Sequence, residues 1–170
     1  MSSESTRAKR GAAGELDAID RRILATLQEA ADLTMQELGD RVGLSHTPCW
    51  RRVRRLEERG YITRRVTLLD GNRLDLAVNV FVNVNLRRHQ ENALTRFEEA
   101  VQDVPEIVEC YTVSGETDFM LRVVVSDVSA YEQLLKATLV HLPEVGNLTS
   151  TFALRQVKYT TALPLEASPA

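Results

Sequence analysis

The run Leu38-Gly39-Asp40-Arg41-Val42-Gly43-Leu44-Ser45 decides how the N-terminal half is read. Gly39 stands where two helices need close approach, and Gly43 supplies the positive-φ helix end that a residue with a Cβ resists. Ser45 then has the side chain of a new N-cap. The string therefore reads as helix, tight turn and second helix, a helix-turn-helix. Upstream, Thr34-Met35-Gln36-Glu37 has the spacing of a capping box, with the Thr hydroxyl and the Glu carboxylate each satisfying an orphan backbone N–H. Further back, Ile19, Ile23, Leu24 and Leu27 recur at helical spacing and predict a first helix from Asp17, with Arg21 and Arg22 outside its apolar face.

Downstream, Cys49, Val53 and Leu56 form the inward face of a third helix, and Pro48 is tolerated in a first turn that needs no intrahelical N–H. Between Trp50 and Gly60, Arg51, Arg52, Arg54, Arg55 and Arg59 face only Glu57 and Glu58. A helix entering the major groove needs short polar groups at its N-terminus with arginines beside them, because guanidinium binds phosphates and guanine edges in a bidentate fork. Ser45, His46, Thr47, Arg51, Arg52 and Arg55 meet that need and point to double-stranded DNA. Taken alone, such a helix equally suits a solvated surface; following a glycine-turned short helix, DNA binding is the stronger reading. Ile62 to Leu69, rich in β-branched residues and carrying Arg64 and Arg65, is expected to form a strand leading out of this domain as a wing.

The net charge of −3 hides an uneven distribution. Met1 to Val66 holds 13 Lys/Arg against 10 Asp/Glu, whereas Thr67 to Ala170 holds 8 against 14. A basic front and an acidic back place any phosphate-binding surface in the first half.

In the second half, Val78, Val80, Val82, Val84 and Leu86 alternate with Asn79, Phe81, Asn83 and Asn85, the period of a strand with one face in a core. Leu94, Phe97, Val101 and Val104 follow at helical spacing. Ile107 to Val113 and Phe119 to Val125 are two more strands, Tyr131, Leu134, Leu135 and Leu139 mark a second helix, and Leu148 to Val157 closes with a fourth strand. The order βαββαβ is ferredoxin-like, so the fold class is α+β, a winged helix-turn-helix followed by a ferredoxin-like domain. The sheet face bearing Phe81, Met120 and Val124 needs a cover, which predicts a sheet-to-sheet homodimer. The expected layout is a disordered arm over 1–14, a DNA-binding domain over 15–66, a linker over 67–76, the second domain over 77–160 and a tail over 161–170.

Between the middle strands, Ser114-Gly115-Glu116-Thr117-Asp118 combines a glycine that admits close backbone approach with an acid able to hold an ammonium group. Backbone N–H groups for a carboxylate and one acid for an amine would suit a free amino acid, while an ordinary hairpin turn is the alternative. Thr149 and Thr151 add hydroxyls on the last strand, or are ordinary strand residues.

Other chemistry is thinly represented. Cys49 and Cys110 fall in different domains outside any paired ligand spacing, so neither a disulfide nor a metal is expected, nor any cofactor. His46, His89 and His141 lack the partners of a nucleophile or base, which argues against catalysis. No run of about 18 apolar residues and no cleavable leader is evident, giving an expectation of a cytoplasmic chain that does not enter a membrane.

The segment Val42-Gly43-Leu44-Ser45-His46-Thr47-Pro48-Cys49, then Arg52 to Glu57 and Gly60-Tyr61-Ile62, resembles the DNA-binding domain of the leucine-responsive and asparagine-regulator family of transcription regulators. The loop Ser114 to Asp118 is similar to that family's Gly-x-x-Asp loop, and the resemblance runs from about Leu16 to Leu165. It implies dimers and often higher rings of dimers, tetramers or octamers, with an amino acid bound between subunits near the loop. The stretch from Thr151 to Leu165 resembles a branch containing regulators of branched-chain keto-acid breakdown and cysteine detoxification, which implies a branched-chain or sulfur-containing effector. His46 and Trp50 depart from that family's usual residues, Pro and a smaller apolar side chain, and bear on base preference. The expected function is a sequence-specific, amino-acid-responsive regulator of amino-acid metabolism or transport. An effector-independent architectural protein that organises DNA is the alternative.

Overall fold

A computed structural model describes residues 16–87 and 91–165. The expected arm over 1–14 and His89 lie outside the described residues. The chain forms two compact units, one containing the described residues up to Thr67 together with those from Tyr159 onward, the other running from Leu68 to Lys158.

Three helices build the first unit: α1 (Ala18–Glu29), α2 (Met35–Val42) and α3 (His46–Glu58). Asp17 starts α1 by accepting the Asp20 N–H at 2.8 Å. The capping box on α2 is complete, with the Glu37 N–H on the Thr34 hydroxyl and the Thr34 N–H on the Glu37 carboxylate. Gly43 closes α2 at φ 76°, as the turn reading requires. Gly39 is needed for space: a Cβ there would lie 2.5 Å from the Leu44 carbonyl oxygen. Ile23, Leu38, Val42, Cys49, Val53 and Leu56 fill the core between the helices.

Ser45 occupies the N-cap of α3, yet its hydroxyl makes no capping hydrogen bond. Residues 61–70 form no strand: Tyr61 and Ile62 pack on the helical core, and beyond them the chain is exposed, Leu69 at 73%. β-Branched composition favours extended backbone, but a strand needs a ladder partner and no described segment supplies one.

The residues from Tyr159 were expected as the end of the second domain and a tail. They instead belong with the helices, where Leu165 packs against the core and its carbonyl accepts from Arg21 Nη1 at 3.2 Å.

The second unit comprises β1 (Val78–Leu86), α4 (Glu91–Gln102), β2 (Ile107–Thr112), β3 (Phe119–Val125), α5 (Val128–Ala137) and β4 (Val145–Phe152). Its strands pair antiparallel in the order β2-β3-β1-β4, the ferredoxin-like arrangement. Alternate residues of β1 and β3 put Val80, Val82, Val84, Phe119, Leu121 and Val123 into the core, where Phe97 of α4 meets Phe119 at 4.6 Å between ring centres. Tyr131 of α5 packs edge-on against Phe152 and shares a hydrogen bond with Ser150.

β4 begins three residues earlier than its apolar run and ends five earlier. Gly146 suits this early entry to the sheet, since a Cβ there would lie 3.1 Å from the Arg87 N and Asn85 O atoms at a register shift in β1. After Phe152 the side chains leave the core, and Leu154 is fully exposed.

Candidate functional site

The third helix sorts its residues by angle. Cys49, Val53 and Leu56 mark its buried line. At about 100° per residue, Thr47 and Arg51 fall almost opposite, and His46, Trp50 and Arg54 form a neighbouring ridge at i, i+4 spacing. All five are exposed, as is Ser45 at the helix start. Arg51 makes no ion pair among the described residues. Arg54 reaches Glu57 and Glu58 only at 3.9 and 3.7 Å and lies 6.0 Å from the centre of the Trp50 ring.

Arg52 and Arg55, expected at DNA, are engaged by acids at the start of α1. Arg52 Nη1 donates to both Asp17 and Asp20. Arg55 Nη2 donates to the two Asp20 oxygens at 2.9 and 2.7 Å. Asp20 is the one buried acid among the described residues, 3% exposed, and its carboxylate is satisfied by these two guanidinium groups. The pair therefore docks α3 on α1, and Arg51 and Arg54 are the exposed cations of its outer side. An arginine count ignores angle; sorting by helical position sets Arg54 and Trp50 on the exposed ridge and Arg52 and Arg55 toward α1.

The carboxyl of Asp17 is held below its ordinary range, first by the Asp20 backbone N–H and then by the Arg52 side chain. Burial pushes the Cys49 thiol up, and burial followed by the Glu98 charge does the same for Cys110. Both are free cysteines shifted away from the reactive thiolate. Among the described residues there is no group of three or more potential metal ligands, and no helix is long and apolar enough to cross a membrane.

In the second unit the loop from Ser114 to Asp118 joins β2 to β3. It is closed by the Val113 N–H on the Asp118 carbonyl at 3.0 Å, with Gly115 at φ 126°. Ser114, Gly115 and Glu116 are exposed, and Thr117 and Asp118 are half-buried. Asp118 ties the loop to the end of β1: its N–H donates to the Val84 carbonyl at 3.0 Å, and its Oδ2 accepts the Leu86 N–H at 2.8 Å. The aspartate thus has a structural duty that the sequence did not disclose.

Thr149 stands opposite Asn83 and Thr151 opposite Phe81, on the sheet face away from the helices. Asn83 also pairs with Met120, two residues beyond Asp118. Thr149 and Asn83 are thereby in the row near the loop, and Thr151 is one step along β4 from it. The same face carries exposed Phe81 and Tyr111, and Arg122 bound to Glu109 and Asn79.

Both units match known proteins. Residues 16–63 match a winged helix-turn-helix DNA-binding model and residues 79–163 match the Lrp/AsnC ligand binding domain. The Bkd operon transcriptional regulator of Pseudomonas aeruginosa is 45% identical, over 89% of this chain and 99% of that protein. The leucine-responsive regulatory protein of Escherichia coli (strain K12) is 42% identical, over 89% and 93%. Among solved structures, a transcriptional regulator from Neisseria meningitidis in complex with L-Met superposes with a TM-score of 0.85 at 36% identity, covering 89% of this chain and 97% of that one. With a helix-turn-helix match over residues 16–63 followed in the sequence by a ligand-binding-domain match over 79–163, the chain belongs to the Lrp/AsnC family of DNA-binding transcriptional regulators.

Proposed function

We propose that this protein is a homo-oligomeric, sequence-specific regulator in the cytoplasm whose DNA occupancy responds to a free amino acid, and that it controls amino-acid metabolism or transport. The observation carrying the DNA half is the exposed line of Thr47 and Arg51 on α3, with Ser45 exposed at its start and the opposite side of the helix packed in the core. Thr47 and Ser45 offer short hydrogen-bonding groups to base edges, and Arg51 offers its fork to phosphate or guanine. His46 lies beside them on the same exposed N-terminal turn.

For the effector half, the loop Ser114 to Asp118 with Thr149 and Thr151 offers hydroxyls, backbone amides and an acid at the edge of an uncovered sheet face. Pairing that face, through Phe81, Tyr111 and Met120, with a second copy would close the site and couple ligand to assembly. Relatives named for leucine and solved with L-Met support a branched-chain or sulfur amino acid as the class. Function here rests on binding, and no residue is assigned a catalytic role.

The test is enrichment of random DNA duplexes on the purified protein, with and without leucine or methionine. A two-fold symmetric motif with half-sites about one helical turn apart, or a multiple of it, is expected. Binding that changes severalfold with one amino-acid class supports the sensor. Uniform binding with no motif and no amino-acid effect would instead favour an architectural role.

A further inference from the structure

Trp50 is the chain's single tryptophan, and it is 49% exposed on a helix whose other side is fully buried. Half of the largest apolar side chain is left in water, one position along from buried Cys49, so it does not serve the core of its own unit. Its neighbours on the i, i+4 ridge are His46 and Arg54, both exposed. Helical side chains lean toward the N-terminus, so the indole covers the turn that carries His46 and Thr47. That is the part of a reading helix that meets base edges. The Arg54 guanidinium flanks the ring at 6.0 Å, and its contacts to Glu57 and Glu58 are long enough to be exchanged for a phosphate.

In the major groove an apolar side chain finds one apolar feature, the C5-methyl of thymine. A ring too broad to read a single hydrogen-bonding edge, set beside a cation, suits that group and the phosphate next to it. We propose that Trp50 is a specificity residue that reads a thymine methyl in each half-site, with Arg54 fixing its register on the backbone. This rests on the DNA-binding reading above and adds to it the base class that the helix selects.

The test uses duplexes enriched by the full-length protein, with uracil replacing thymine one position at a time to delete only the methyl. The wild-type protein should lose about fourfold in affinity at the contacted position, the value of one buried methyl-sized group. Trp50→Ala should bind thymine and uracil duplexes alike there, and Trp50→Phe, which keeps an aromatic ring and guards against a folding defect, should retain part of the difference. Quenching of the single tryptophan's fluorescence should be stronger with thymine than with uracil. Undiminished discrimination in both Trp50 variants overturns the proposal while leaving DNA binding intact. Arg51→Ala separates the two readings, because it should weaken thymine and uracil duplexes equally. A wild-type protein that enriches no sequence removes both.

Discussion

Gln28 and Leu163 lie 135 residues apart in the chain and are joined by two hydrogen bonds. The Gln28 amide donates to the Leu163 carbonyl at 3.2 Å, and its oxygen accepts the Leu163 N–H at 2.6 Å, so one side chain acts as a strand partner for the returning segment. The helices hold that segment further through Arg21 on the Leu165 carbonyl and through Leu165 in the core. Gln28→Ala should therefore destabilise the helical unit by about 1 kcal/mol, the net value of ordinary hydrogen bonds. That corresponds to a fall of several degrees in its unfolding midpoint. Ending the chain after Lys158 should cost more, because apolar contact is lost as well. Scanning calorimetry of both variants checks this, and unchanged midpoints would mean that the segment adds nothing to the fold of the helices.

The Asp20 clamp separates arginines that look alike in sequence. Arg55→Ala and Asp20→Ala should each lower stability by about 1–2 kcal/mol, moderated because Arg52 and Arg55 keep part of their surface in water. The loss in the Asp20 variant arises from Arg55 left without its acid and Arg52 left with Asp17 alone. Arg51→Ala should leave stability alone, weaken DNA binding and, as a phosphate contact, reduce the salt slope of log affinity by about 1. Thermal unfolding and salt-dependent anisotropy on the same variants test both halves. Equal salt slopes for Arg51→Ala and the wild type would take Arg51 off the DNA backbone.

Helices, sheet and even the bounds of β1 and β3 were legible because period and cap chemistry are local. The Thr34–Glu37 box, the Gly43 turn and the alternation from Val78 to Leu86 each state their structure within a few residues. What was hidden depends on partners distant in sequence: Asp20 taking Arg52 and Arg55, Asp118 bracing β1, and residues after Tyr159 leaving the sheet domain for the helices. The early end of β4 is of the same kind, since Leu154 and Val157 are apolar and yet carry no core contact. The strand expected over 62–69 failed for want of a partner strand rather than for want of propensity.

Acid should loosen both units through their helix starts. The Asp20 N–H holds Asp17 below its ordinary pKa, the Thr34 N–H and then its hydroxyl do so for Glu37, and the Ala130 N–H and then the Ser126 hydroxyl do so for Asp127. A carboxyl depressed in the folded state leaves the unfolded chain binding protons first as pH falls. The stabilisation is then complete above the unfolded range, about pH 4, and disappears as pH drops through the depressed values. Unfolding midpoints should be flat on the neutral side and fall steeply below about pH 4. Asp127→Asn keeps a capping oxygen without the titration, so its curve should fall less steeply. An identical slope would show that the cap charge on α5 is not part of the acid response.

Asp118 carries two duties that one substitution can divide. Its Oδ2 accepts the Leu86 N–H at 2.8 Å, which fixes the loop to β1 whatever the ligand state. Recognition of an amino group, by contrast, needs the negative charge. Asp118→Asn keeps a carbonyl oxygen for Leu86 and removes the charge, whereas Asp118→Ala removes both. The Asn variant should unfold within about 1 kcal/mol of the wild type and bind DNA normally, while losing the midpoint rise that an amino acid gives to the folded protein. The Ala variant should lose that rise and unfold earlier besides. An Asn variant that still gains stability from leucine or methionine as the wild type does would assign Asp118 to the hairpin alone, and would move ammonium recognition to another acid of the exposed loop, Glu116 being the nearest in sequence.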